Sequence, residues 1–125
     1  RHPISGDYAT IVGIFEEQTK KGNNLTVTGD GEQRRDFTHV SDIVSGLILL
    51  NNKNIFGDVF QLGTEMNFSI NELANMFGGH IEYIPARPGE ARNTLADTSK
   101  MKKIGWTPQV LIEDYIEEWK IKNNL

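Results

Sequence analysis

A chain of 125 residues, 38% hydrophobic and 24% charged, is long enough for one small globular unit with its own core. Its net charge of −4 disfavours a nucleic-acid surface, and its lack of cysteine excludes disulfides, thiolate zinc sites and a cysteine nucleophile while fitting a reducing, cytoplasmic setting. No apolar run approaches the roughly 18 residues that a membrane span needs, and the start at Arg1-His2-Pro3 carries no secretory pattern.

In chain order, Ser5-Gly6-Asp7 is suited to cap a helix in which Tyr8, Ile11, Val12 and Phe15 recur at helical spacing. Lys20-Lys21-Gly22 ends it, with cations in the last turn and glycine at the stop. Leu25 to Thr28 reads as a strand, Gly29-Asp30-Gly31 as a turn, and Arg35 to Thr38 as a second short strand. A helix follows from Val40 with Ile43, Val44, Leu47 and Ile48 on one face; so much of it is apolar that packing on more than one side is expected. Asp58 to Gly63 is a further strand candidate.

Ser69-Ile70-Asn71-Glu72 spells a capping box: the serine oxygen accepts from the amide three residues on, and the glutamate reaches back. Ile70, Leu73, Ala74 and Phe77 form that helix's apolar stripe, and Gly78-Gly79 stops it. His80 to Ile84 reads as a strand and Asn93 to Ala96 as a short extended piece. Asp97 is placed to cap a short helix carrying Met101 and Ile104, and Ile112, Tyr115, Ile116 and Trp119 define a closing amphipathic helix. The pattern is mixed α/β with short strands, and residues 1–125 read as one unit.

Two polar stretches carry the chemistry. Arg35 follows the glycine turn at a strand start, where its guanidinium fork suits phosphate oxygens; the competing reading is an ion pair with Asp36, Glu32 or another carboxylate. Arg87 and Glu90 flank Pro88-Gly89, a stiff turn that lets backbone approach a ligand closely, although a charged surface loop would look the same. Arginine for phosphate and a carboxylate for sugar hydroxyls together suit a nucleotide. His2, His39 and His80 lack metal-ligand spacing, and turn or cap duties account for Asp7, Asp30 and Asp42. Gly29-Asp30-Gly31 lacks the ending of a phosphate loop.

Gly29-Asp30-Gly31-Glu32-Gln33-Arg34-Arg35-Asp36-Phe37, followed by Val40 and Asp42, resembles the nucleotide-sugar segment of the extended short-chain dehydrogenase/reductases. Arg87-Pro88-Gly89-Glu90, Leu95-Ala96-Asp97, Ser99-Lys100 and Gly105-Trp106-Thr107-Pro108 resemble the end of the same family, with the nearest likeness to UDP-glucose 4-epimerases. The resemblance implies that Arg35 and Arg87 hold a diphosphate, that Glu90 binds ribose hydroxyls, and that Thr26, Val27 and Thr28 border the base through backbone groups. It implies NAD as cofactor of the full-length family and a UDP-sugar as ligand. The family's Gly-x-x-Gly-x-x-Gly loop and Tyr-x-x-x-Lys pair do not occur in this sequence, and Arg1 would follow shortly after the family's Tyr-Gly pair. The chain is therefore expected to be the substrate-side, C-terminal part of such an enzyme, with no NAD binding or catalysis by itself. A start at Arg1 is equally what a tag remnant or processing would leave. An alternative of another class is a stand-alone binding or assembly module acting through a partner chain. The uncovered face of the helix from Val40 leads to a homo-oligomer, or a rearranged helix, as the expected outcome.

Overall fold

The computed structural model describes residue 6 and residues 9–125. Ser5 and Asp7 of the expected first cap, together with Arg1 and Tyr8, lie outside the described residues. Helix α1 (Ile11–Lys20) starts at Thr10, whose hydroxyl accepts from the Gly13 amide at 3.4 Å. Its Val12 and Phe15 are buried, and Lys21 with Gly22 (φ 69°) ends it.

Strand β1 (Leu25–Thr28) runs as expected, and after β2 (Arg34–Arg35) comes helix α2 (Val40–Asn52). Strand β3 (Phe68–Ser69) leads into α3 (Ile70–Phe77), then β4 (Ile81–Ile84), α4 (Ser99–Lys103) and α5 (Ile112–Lys122). Two small sheets result. β1 and β4 are parallel, with Leu25 opposite Ile81 and Thr28 opposite Ile84. β2 and β3 are antiparallel, with Arg34 opposite Ser69. The mixed α/β class with short strands is what the sequence pattern leads one to expect.

The core lies where α1, α3 and α5 meet the β1–β4 pair. Phe15, Leu25 and Leu73 have no exposed surface, and Phe77 stacks edge-on against both Phe15 (5.7 Å) and Trp119 (5.6 Å). Burying such aromatic pairs adds about 0.5–1.5 kcal/mol each beyond their area. The capping box of α3 is complete: Ser69 Oγ accepts from the Glu72 amide at 3.0 Å and Glu72 Oε2 accepts from the Ser69 amide at 2.9 Å. Gly78 then stops the helix at φ 84°, a conformation that glycine adopts without strain.

Four expectations need correction. The Asp58–Gly63 strand does not form: among the described residues no strand lies beside it, and it is tied at points instead, as where Gln61 Oε1 accepts from the Asp97 amide at 2.9 Å. The second strand covers Arg34–Arg35, not Arg35 to Thr38, because the Asp36 carboxylate takes over beyond Arg35. It accepts from the Thr64 hydroxyl (2.6 Å) and from the amides of Thr64 (3.0 Å), Glu65 (3.1 Å) and Ala96 (3.3 Å). Helix α4 is capped at Thr98, one residue past Asp97, whose Oδ1 accepts from the Ser99 amide at 3.1 Å. Asp42 is neither turn nor cap in its main duty. Its buried carboxylate clasps the amides of Gln109 (2.9 Å) and Val110 (3.0 Å), fixing the approach to α5.

Candidate functional site

The two polar stretches meet because β2 bonds on both sides. Arg34 forms a parallel bridge with Asn93: its amide donates to Arg92 O (2.9 Å) and its carbonyl accepts from the Thr94 amide (3.1 Å). That bridge draws the loop 87–92 alongside the strand. Asp30 and Arg92 then close the loop with a bidentate pair at 2.8 and 2.8 Å. The Arg92 guanidinium, helped by the Glu32 amide, lowers the Asp30 carboxyl to about 2.

A cleft of about 210 Å³ opens between β1, the end of β4 and this loop; Thr26, Thr28, Arg35, Arg87 and Glu90 all line it, with Ile11, Ile14 and Ile84 as its apolar wall. Arg35 Nη2 lies 3.3 Å from Glu90 Oε1, so the competing ion-pair reading of Arg35 is realised, with a partner from the other stretch. Arg35 Nη1 also donates to Arg34 O at 2.8 Å. Arg87 takes part in no ion pair among the described residues. Thr28 Oγ1 donates to Glu90 Oε2 at 3.1 Å.

Val27 does not reach the cleft. Its side chain is fully buried in the core, and β1's geometry turns its backbone toward β4. The Leu25 and Gly29 amides donate to His80 O and Ile84 O, so the residues between them alternate, and Thr26 and Thr28 present their backbone groups to the opposite edge. On that edge the Thr26 amide already donates to Gln18 Oε1 at 3.1 Å, and Thr28 O accepts from Gln33 Nε2 at 3.0 Å.

Gln33 is one residue that sequence reasoning missed. It is 4% exposed, and its Nε2 touches Thr28 O (3.0 Å), Thr28 Oγ1 (3.0 Å) and Glu90 Oε1 (3.4 Å). A glutamine between charged neighbours gives no sign in sequence that it is buried. Gln18, which holds Thr26 through both its amide atoms, was missed as well, because a polar residue on a helix gives no sign in sequence of the strand it will meet.

A wider groove of about 1040 Å³ runs along α1, residues 36–43 and the start of α5. Its charged lining is Glu16, Glu17, Asp36 and a single Lys20, so its field repels an anion. Tyr115 donates to Glu16 Oε1 there at 2.6 Å, and burial together with that carboxylate pushes the phenol upward. The smaller cleft, with two arginines, suits an anionic ligand. Among the described residues no cluster is arranged to hold a metal ion, and no helix is long and apolar enough to cross a membrane.

Among the described residues, neither strand of the parallel pair leads directly into a helix N-terminus. A dinucleotide cofactor needs a helix N-terminus facing the end of a parallel strand. Here β1 leads through Gly29-Asp30-Gly31 into β2, and β4 leads into the loop at Pro85.

Two arginines and a carboxylate beside paired strands are groups whose chemistry suits an anion that also carries hydroxyls. A family model described as GDP-mannose 4,6 dehydratase matches residues 9–119. The UDP-glucuronic acid decarboxylase 1 of Xenopus tropicalis is 35% identical over 111 residues, 83% of this chain and 26% of its own length. The structure of Thermotoga maritima UDP-glucose 4-epimerase with UDP-glucose superposes with a TM-score of 0.81 at 29% identity, covering 100% of this chain and 44% of that one. Bacillus cereus UDP-glucuronic acid 4-epimerase, in complex with UDP-glucuronic acid and NAD, gives 0.82 at 27% identity, covering 92% and 40%. The chain belongs to this nucleotide-sugar epimerase and dehydratase family of extended short-chain dehydrogenase/reductases, and it spans less than half the length of these relatives.

Proposed function

We propose that this chain supplies the nucleotide-sugar site of a UDP-hexose 4-epimerase-like enzyme. The observation that carries the reading is the convergence of Thr26, Thr28, Arg35, Arg87 and Glu90, from three separate parts of the sequence, on one cleft. Arg35 and Arg87 hold the diphosphate through charge-assisted hydrogen bonds. Glu90 accepts from the ribose hydroxyls, and the edge of β1 facing away from β4, at Thr28, borders the base. Val27 contributes only by fixing that edge from the core side. The cleft, about 210 Å³, is smaller than the roughly 300–1,000 Å³ of typical small-molecule sites, so part of the ligand, the sugar included, extends beyond it.

In the whole enzyme the sugar would meet NAD and the groups that move its hydride and proton. Those groups are not among this chain's residues, and the chain by itself is proposed to bind without turning over substrate. The relatives include a decarboxylase as well as epimerases, so the reaction at the sugar is proposed from the epimerase likeness alone. We also propose a cytoplasmic setting. The exposed Val44, Leu47 and Ile48 of α2 further suggest self-association of the isolated chain. Calorimetric titration with UDP and with UDP-glucose tests the reading: saturable binding of both, weakened in Arg35→Ala and in Arg87→Ala, is expected. Absence of UDP binding by the folded chain would refute it.

A further inference from the structure

We propose that Asp30 and Arg92 are positioning residues: their ion pair locks the loop 86–92 onto the Gly29-Asp30-Gly31 turn and so presets Arg87 and Glu90 for the nucleotide. The proposal rests on the nucleotide-sugar reading of the cleft.

The turn is a fixed platform. Asn71, in the first turn of α3, donates through Nδ2 to Asp30 O (2.9 Å) and Glu32 Oε1 (2.7 Å), and its amide donates to Gly31 O (3.0 Å). Tyr83 on β4 steadies that side chain by donating to Asn71 Oδ1 at 3.0 Å. Gly31, without a Cβ, leaves room for it: the missing carbon would stand 2.0 Å from Asn71 Oδ1. Asp30 Oδ1 also accepts from the Glu32 amide at 2.9 Å, which orients the carboxylate.

The loop has fewer ties. Among the described residues, no backbone amide or carbonyl of residues 86–91 bonds outside the loop. The Glu90 contacts with Thr28 (3.1 Å), Gln33 (3.4 Å) and Arg35 (3.3 Å) lie inside the cleft, where a ligand competes for them. Asp30 and Arg92 are not in the cleft lining, so a ligand does not compete for their two bonds of 2.8 Å. Arg92 O already accepts from the Arg34 amide, and the side-chain pair is a second attachment on the same residue. One attachment lets the loop pivot; two fix the direction in which it leaves β2. Both side chains are exposed, so the pair adds little to global stability, and its effect falls on loop placement. A loop in its binding geometry for only part of the time lowers the apparent affinity by that fraction.

Calorimetric titration with UDP on the wild-type chain, Asp30→Asn, Arg92→Met and the double variant separates placement from charge. Charge alone makes Asp30→Asn bind the anion more tightly and Arg92→Met more weakly, and returns the double variant to the wild-type affinity. The lock predicts about two- to five-fold weaker binding in Asp30→Asn, a larger loss in Arg92→Met, and a double variant between the two. Asp58→Asn breaks another exposed pair, with Lys100 and outside the cleft lining, and should bind UDP no more weakly than wild type. NMR of the ligand-free chains reads the loop directly: the Arg87 and Glu90 amides should shift or broaden in Asp30→Asn while those of Leu73 and Phe77 in the core stay in place. Asp30→Asn binding UDP as well as wild type or better, a double variant at wild-type affinity, an equal loss in Asp58→Asn, or unmoved loop amides would overturn the lock while leaving UDP binding intact. A wild-type chain that binds no UDP would overturn the underlying reading, and this role with it.

Discussion

Arg35 and Arg87 reach the same cleft from different starting states, one paired with Glu90 and one unpaired among the described residues. Replacing either with alanine should weaken UDP binding by about 1.5–3 kcal/mol, the range for hydrogen bonds to charged groups. Both variants should keep the wild-type melting transition, because neither side chain belongs to the core. Equal UDP affinity in all three proteins would remove these residues from the site. Gln33 behaves differently. Gln33→Leu leaves Thr28 and Glu90 without their shared donor, and the cost expected for stranded buried polar groups is about 1–3 kcal/mol of fold stability. Urea unfolding measures it; an unchanged midpoint would mean that the three contacts of Gln33 are incidental.

Among the elements, α3 shows how much a sequence can reveal. Its capping box, apolar stripe and glycine stop are local signals, and all three stand in the structure. Ser69→Ala should cost about 1 kcal/mol, read from the urea midpoint. Strand β1 and helices α2 and α5 were legible for the same reason: short-range periodicity fixes them. What local pattern could not show was pairing. Asp58 to Gly63 has a strand's composition but no neighbouring strand, and Asp36 and Asp42 spend their carboxylates on backbone amides 28 to 68 residues away. The site divides along the same line. Arg35, Arg87 and Glu90 stand out by residue type and turn context, with their roles implied by motif resemblance, whereas Gln18 and Gln33 act through partners and burial that only the fold creates.

Two ion pairs at the loops make a pH prediction. Arg92 holds Asp30 at about 2 against an ordinary 3.8, and Lys102, with Thr98, holds Glu65 at about 2 against 4.5. A lowered carboxylate stabilises the fold fully above its ordinary value and loses that contribution as pH falls toward its folded value. Asp30 is exposed and Glu65 only half-buried, so solvent screening keeps the effect modest. Stability should decline as pH drops from about 4.5 to about 2, and the decline should be shallower in the Arg92→Met, Lys102→Met double variant. Identical acid profiles for the two proteins would show that these pairs contribute nothing.

On the scale of the whole molecule, α2 keeps its helix with Val44 (46%), Leu47 (56%) and Ile48 (55%) exposed, so the rearranged helix offered as one expected outcome is not what the structure shows. In the isolated chain, association is a route to cover that face. Light scattering should find oligomers whose population rises with concentration, and Leu47→Lys with Ile48→Lys should return the chain to monomer; a wild-type monomer throughout would leave the face exposed. The central claim concerns the cleft. Its most direct test is a titration of the isotopically labelled chain with UDP, followed amide by amide by NMR. The account predicts saturable shifts at Thr28, Arg35 and Glu90, with little change along the groove at Glu16, Glu17 and Tyr115. Shifts confined to that groove, or none at all from a folded chain, would contradict it.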